Sequence, residues 1–395
     1  MKFKLTIILF AGIIALSNQS FKQKENIKET NTPLDSLVVN YLKKYDTPGL
    51  SIKVFKGEKL YWSHNFGYLD IEKQLPMRSD AVMNIASISK TITTTAVLQL
   101  SEKGLLDISK DVNSYLDFSV RNPNFPDTPI TIFQLLTHTS SIKDNYAYAM
   151  SYQCGDPQVG LKNWIENYFR PTGTHYSKEE NFHTWEPNTD YNYSNVAFGL
   201  LGLLVEKVSQ QSLESYTKTH ITEILSMDRS SWFIKNTDTT NRIKSYVMAT
   251  EEIKHDAMAS KLLEKQVGKY YQLCNYSFYN YPDGLFRTTL NELSHFMMVI
   301  MNGSYMGKQI LNEETIIKML SLQIEGNNVQ GIGWKRIEYE GNVFWGHSGR
   351  DPGVRTHLYF HPETQTGIVL FQNNDDGYTI KLVADILTEV VKGSK

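Results

Sequence analysis

Apolar and polar positions along the chain change period several times, and each change predicts an element. In LDSLVVNYLKKY (residues 34–45) Leu37, Val38, Tyr41 and Leu42 recur at helical intervals, which predicts a first helix. The next run, GLSIKVFKGEKLYWSHNFGYLD (49–70), alternates in two halves split at Lys56-Gly57-Glu58, the pattern of a β-hairpin. Near the other end VFWGHSG, GVRTHLYFHP and TGIVLFQNN predict three more strands, the last two joined by the turn-like HPETQTG. Between these ends the period is helical in TTTAVLQLSEKG, TIFQLLTHTS, LKNWIENYF, NVAFGLLGLLVEKV and LESYTKTHITEIL. The terminal TIKLVADILTEVVKGSK sets Ile380, Val383, Ile386, Leu387 and Val390 on one face, a helix able to cover a sheet. Together these predict an α/β (α+β) chain. An antiparallel sheet with flanking helices, drawn from about residues 34–85 and 266–391, surrounds an inserted all-helical lobe at about 86–265. A site is expected in the cleft between the two.

Outside residues 34–391 the pattern fails. MKFKLTIILFAGIIALSNQS begins with Lys2 and Lys4, continues with an apolar run over 5–16, and ends with the small Ala15 and Ser17. This reads as an export signal cleaved near Ser17, because a membrane span needs about 20 apolar residues. No cysteine follows to carry a lipid. Residues 18–33 are too polar to offset their ordering entropy and read as a flexible tether. The expected product is periplasmic or secreted, with no membrane span after signal removal.

Composition narrows the partners. Lys and Arg total 40 against 42 Asp and Glu, so a formal charge of -2 gives no electrostatic case for nucleic acid or an anionic membrane surface. A small-molecule or peptide partner remains. Cys154 and Cys274 lie far apart, outside any Cys-x-x-Cys or Cys/His cluster, so they are expected to be two buried thiols, with pairing left open. GSYMGKQ (303–309) has the wrong spacing for a phosphate loop, and His357 and His361 lack an evident third metal ligand. No cofactor and no metal are expected.

Chemistry concentrates in three places. In NIASISKTIT (84–93), Ser87 and Lys90 stand three apart at a helix start, roughly 4.5 Å along the axis and on neighbouring faces. A serine hydroxyl needs a base, and an ammonium becomes one only when burial lowers its pKa; Ile85, Ile88, Ile92 and Val97 offer that burial. Taken alone the pair equally describes a capping serine and a snorkelling lysine. In YNYSNVAFGLLG (191–202), Tyr193 and Asn195 precede a strong helical run, so phenol and amide face one way, or Asn195 caps the helix. In WGHSGRDPG (345–353), Gly349 permits close backbone approach and the N–H of Arg350 can serve an oxyanion hole beside that of Ser87. No Gly-x-Ser-x-Gly elbow and no His-Glu-x-x-His helix occurs.

Taken in order, Ser87-Ile88-Ser89-Lys90, Tyr193-Ser194-Asn195 and His347-Ser348-Gly349 resemble the serine β-lactamase and penicillin-binding-protein superfamily, most closely its class C β-lactamase, D,D-peptidase and esterase branch. FQLLTHTSSI (133–142), YPDGLFRTTLNELSHFM (281–297) and HPETQTGIVLFQNN (361–374) extend the resemblance over about 34–391. It implies that Ser87 is acylated, that Lys90 and Tyr193 handle its proton, that Asn195 closes the site, and that His347, Ser348 and Gly349 bind substrate. The N–H groups of Ser87 and Arg350 then form the oxyanion hole. The implied activity is an exported serine hydrolase cutting an ester, amide or D-amino-acid peptide bond, with cell-wall fragments among the candidate substrates. Two alternatives stay open: β-lactam hydrolysis, and a penicillin-binding sensor that acylates without turnover. Where many members of the superfamily carry Lys-Thr-Gly, His347 is expected to be neutral at pH 7, so a substrate carboxylate is expected to lose its fixed cation. Ser141 stands where a glycine is usual, so the turn after residues 137–140 is expected to change shape. No Glu-x-x-Leu-Asn segment is present, which leaves water activation to Tyr193 or the acyl-enzyme. Residues 146–191, rich in Tyr, Trp and Asn, are placed to roof the cleft or to pack a surface lobe.

Overall fold

The computed structural model describes residues 32–393; the expected export signal and all of the tether except Thr32 and Pro33 lie outside them. Those two residues belong to a helix instead. Helix α1 (Pro33–Lys44) begins at an N-capping Thr32, whose hydroxyl accepts from Asp35 N at 3.3 Å while Asp35 accepts from Thr32 N at 3.2 Å. This reciprocal capping box, with proline at the first helical position, sets the boundary.

Seven antiparallel strands form the main sheet: β1 (Gly49–Lys56), β2 (Lys59–Asp70), β3 (Leu75–Pro76), β4 (Lys335–Tyr339), β5 (Asn342–Asp351), β6 (Val354–His361) and β7 (Thr366–Gln372), in the order β4-β5-β6-β7-β1-β2-β3. The two ends of the chain meet at its centre, where β1 pairs with β7 from Leu50↔Gln372 to Lys56↔Thr366. Period-2 alternation divides their side chains. Ile52, Val54, Ile368 and Leu370 face a core shared with α1 and the C-terminal helix α5 (Thr379–Lys392). Val369 and Phe371 face the larger core, where α4 (Leu290–Asn302) contributes Phe296 and Met297. Each fully buried aliphatic or aromatic side chain there contributes about 1.5–3 kcal/mol.

The second lobe is built around α2 (Ser89–Glu102), buried from Ser89 to Leu100, and α3 (Val196–Ser209). A Cβ at Gly199 of α3 would sit 1.8 Å from Asn280 Oδ1, so glycine there lets the 280–283 segment lie against this helix.

This lobe is not all-helical as expected. Tyr246–Met248, Leu263–Val267 and Tyr270–Leu273 form a small antiparallel sheet, because Gly268, at φ 60°, gives the two-residue turn that closes the Val267–Tyr270 pair. Nor are the cysteines free. Cys154 is exposed, its short strand pairs with Tyr276–Ser277, and this brings Cys154 and Cys274 into a disulfide with Cα atoms 5.7 Å apart. Among the described residues no helix is long and apolar enough to cross a membrane.

Candidate active site

Ser87 lies on a single 3₁₀ turn (Ala86–Ile88) that leads into α2. The turn is set by Asn84 Oδ1, which accepts from Ala86 N at 2.7 Å, and by a left-handed Ala86 at φ 46°. Lys90 Nζ, with its side chain fully buried, donates to Ser87 Oγ at 3.1 Å, Asn195 Oδ1 at 2.7 Å and the Asp283 carbonyl at 2.8 Å, and stands 3.3 Å from Asp283 Oδ2. Ile85, Ile88, Ile92 and Val97 are buried as expected, but they do not produce a free amine. Burial alone lowers the lysine pKa; Tyr193, Asp283 and Asp144 together more than reverse this, so the net shift is upward and Lys90 is an ammonium.

Asp283 was not singled out from the sequence. Burial pushes its carboxyl up to about 6, while Lys90, Asn280 and Tyr148 pull it down, so it is ionised at pH 7 and pairs with Lys90. Asn280 Nδ2 and Tyr148 OH donate to its two oxygens at 2.8 and 2.9 Å. Its only signal was an acid within the otherwise aromatic and small-residue run YPDG.

Asn195 stands at the N-cap position of α3, but its side chain makes no capping hydrogen bond. Asp144, distant in sequence, takes that role by accepting from Asn195 N and Val196 N, both at 2.9 Å, and from Asn195 Nδ2 at 2.8 Å. The amide is thereby oriented with Oδ1 toward Lys90. Tyr193 is held against the His138 ring, 4.4 Å between centroids, and His138 Nδ1 accepts from Ser194 N at 3.2 Å. Ser141 adopts φ 60°, the left-handed conformation glycine favours, and its hydroxyl accepts from Asn122 Nδ2 at 2.9 Å, which offsets much of the roughly 1–2 kcal/mol conformational cost.

Strand β5 forms the opposite wall. A Cβ on Gly349 would lie 2.3 Å from the Ile85 carbonyl, so only glycine lets the strand rest against the nucleophile's turn; Thr356 Oγ1, donating to Ile85 O at 2.8 Å, fixes that approach. The pairing of β4 with β5 stops at Lys335↔Gly346, leaving the outer edge of β5 facing the cleft. The two-residue turn closing Asp351↔Val354 makes Arg350↔Arg355 a non-hydrogen-bonded pair, which directs Arg350 N–H to that outer edge. His347 and Gly349 share one face of the strand. Ser348 takes the other, where its hydroxyl meets His357 Nδ1 at 2.9 Å and Tyr359 OH at 3.1 Å. Burial, with help from Lys335 and Lys90, pushes the His347 imidazole well below its ordinary pKa, so it is neutral.

The fixed cation expected to be missing comes from the neighbouring strand. Lys335, on β4 opposite Gly346, places Nζ 4.4 Å from the centre of the Tyr193 ring; Lys90 Nζ lies 5.0 Å from the same ring. Burial and then Lys90 lower Lys335 to about 8, so it is mostly charged at pH 7. Its run, WKRIEY, carries too many charges to read as a strand beside a site.

These groups surround a cavity of about 390 Å³ that Ser87, Tyr193, Asn195, His347, Ser348, Gly349 and Arg350 all line, Lys90 lying just beneath. From the aromatic 146–191 stretch, Tyr148 and Tyr152 reach the cavity, whereas Trp164 and Tyr168 pack the lobe. Among the described residues no group of three or more His, Cys, Asp or Glu side chains is arranged to hold a metal ion.

A family model described as Beta-lactamase matches residues 34–388. The chain belongs to the β-lactamase family. The family's chain here is 28% identical over 367 residues to protein flp of Staphylococcus aureus (strain N315), covering 92% of this chain and 67% of flp. It is 23% identical over 356 residues to penicillin-binding protein 4* of Bacillus subtilis (strain 168), covering 87% and 72%. The β-lactamase-family fold is shared with the D-amino acid amidase of Ochrobactrum anthropi SV3 complexed with L-phenylalanine, at a TM-score of 0.74, 17% identity, and 92% and 99% coverage of the two chains. The superfamily so defined is one of serine hydrolases.

Proposed function

We propose that this protein is an exported serine hydrolase that acts through an acyl-enzyme on Ser87 and cleaves an ester, amide or D-amino-acid peptide bond. One arrangement carries the reading: Ser87 Oγ hydrogen-bonded to a buried Lys90 ammonium at the floor of a cavity, with Tyr193 flanked by Lys90 and Lys335. Because Tyr193 and Asp283 hold Lys90 protonated, Lys90 orients Ser87 and balances charge, and the phenol moves the proton. As Ser87 Oγ bonds to the scissile carbonyl carbon, its proton passes to Tyr193 while the phenol gives its own to the departing nitrogen or oxygen. The two ammonium groups stabilise negative charge developing between them, and the N–H groups of Ser87 and Arg350 receive the carbonyl oxygen. Water repeats the sequence in reverse to free Ser87. Export is supported by the Cys154–Cys274 disulfide, a bond that persists in oxidising compartments.

Lys335 favours a second reading, in which a carboxylate-bearing β-lactam is bound and either hydrolysed or retained. A panel of p-nitrophenyl esters, D-amino acid amides, D-Ala-D-Ala peptides and nitrocefin tests both readings, with intact-mass detection of the adduct. Ser87→Ala is expected to abolish turnover and adduct together. Full activity of that variant on every substrate overturns the nucleophile, and a burst equal to the enzyme without steady turnover selects the retained acyl-enzyme.

A further inference from the structure

The far end of the cavity contains an acid that the steps above leave unused. Asp351 lies two residues beyond Gly349 on the same face of β5, so its Cα is roughly 7 Å farther along the strand, about the length of two residues. Its residue is 8% exposed and lines the cavity. Tyr152 OH donates to Oδ1 at 2.8 Å, but among the described residues Oδ2 has no hydrogen-bond partner. Two neighbouring donors, Tyr276 OH and Asn84 Nδ2, lie close enough to favour the ionised carboxyl, but their hydrogen bonds go to Pro352 O at 2.9 Å and to Tyr276 OH at 3.2 Å. Arg350 and Arg355 line the same cavity as a cross-strand pair, their side chains on the face of the hairpin opposite to that of Asp351, and Arg355 Nε donates to Asp375 O at 3.0 Å. No described cation forms an ion pair with Asp351; the other acid lining the cavity, Asp283, is paired with Lys90.

A buried carboxylate oxygen without a donor is unfavourable unless a ligand completes it. The complement of an acceptor that can bear full negative charge is a charged donor, and the adjoining wall of Tyr148, Tyr152 and Phe278 presents aromatic rings that also favour a cation. The spacing adds a constraint. With the scissile carbonyl oxygen at Arg350 N–H, a group reaching Asp351 belongs to the same amino-acid unit or its immediate neighbour.

We propose that Asp351, steadied by Tyr152, binds a protonated amine of the substrate, so that the protein acts on esters, amides or peptides of amino acids whose α-amino group is free. This rests on the acyl-enzyme at Ser87, and the experiment separates the two. Initial rates at pH 7 are measured for the p-nitroanilides of D- and L-phenylalanine and for their N-acetyl counterparts, with wild type and Asp351→Asn, while a fluorophosphonate reports independently on Ser87. The free-amine substrate of one enantiomer is expected to exceed its N-acetyl form by at least about tenfold in kcat/KM, and Asp351→Asn is expected to erase the ratio while keeping the N-acetyl rate within about twofold. Equal rates in wild type, a preference for the N-acetyl form as expected if Arg350 and Arg355 repel a substrate ammonium, or a ratio that survives in Asp351→Asn overturns the amine site. If the variant is inactive on everything, the wild-type ratio decides. Fluorophosphonate labelling of Ser87 without hydrolysis of any anilide also overturns the amine site, whereas absence of labelling overturns the nucleophile.

Discussion

Asp351→Asn is expected to make the protein more stable, although it damages the proposed site. Burial pushes the Asp351 carboxyl from its ordinary 3.8 to about 7, Tyr152 resisting and Asp283 adding to the shift, with Tyr276 and Asn84 also resisting. A carboxyl whose pKa is raised by folding costs nothing below the unfolded value, where it is protonated in both states. The cost grows as pH rises from 3.8 and is complete above 7. A shift of about three units at about 1.4 kcal/mol each gives about 4 kcal/mol of stability lost to ionising this one group at pH 8. Asparagine has the same shape, keeps an acceptor for Tyr152 OH and carries no charge, so it avoids that cost. Urea unfolding at pH 8 is expected to show the variant more stable by about 4 kcal/mol, a midpoint shift on the order of 1 M, and at pH 3.5 the two proteins are expected to converge. A variant less stable than wild type at pH 8, or a difference that does not shrink toward pH 3.5, refutes the reasoning. The expected result places Asp351 among groups retained against stability, as binding and catalytic residues are.

Three further outcomes follow from the geometry. Asp283→Asn removes the countercharge 3.3 Å from Lys90 Nζ and is expected to lower kcat at least about tenfold while shifting the alkaline limb of the kcat profile to lower pH, since a lysine without its partner gives up its proton sooner; an unchanged limb contradicts the pairing. Because burial lowers Lys335 to about 8, its charge is present below that pH and lost above it, so KM for a carboxylate-bearing substrate such as nitrocefin is expected to rise about tenfold by pH 9, and Lys335→Ala to flatten the dependence. Gly349→Ala drives a methyl to within 2.3 Å of the Ile85 carbonyl and is expected to cost about 100-fold in kcat/KM with the far-ultraviolet circular dichroism unchanged; retained activity refutes the close approach.

What the sequence made legible follows from the range of the interactions involved. The β1–β2 hairpin and the strands β5 to β7 show a local period and local turns, and the structure has them within a residue or two of the quoted runs. Ser87 and Lys90 are one helical turn apart, so their contact is also local. Asp283, Lys335 and Asp144 act across 193, 142 and 51 residues from the groups they touch, and nothing near them in sequence marks that use. The electrostatic state of Lys90 was misjudged for the same reason: its apolar neighbours are adjacent in sequence, whereas its carboxylate partner is remote. The disulfide escaped because two cysteines 120 residues apart carry no periodic signal.

The central seam of the sheet, where Leu50 lies beside Gln372, also governs when the molecule can mature. A nascent polypeptide leaving the ribosome has its serine-bearing segment early, yet the wall that completes the crevice, and the strand that locks the hairpin of β1 and β2 in place, emerge much later. Fragments that stop short of residue 372 therefore expose one unzipped edge of the hairpin and present no assembled crevice, which ties the crevice to synthesis past that point.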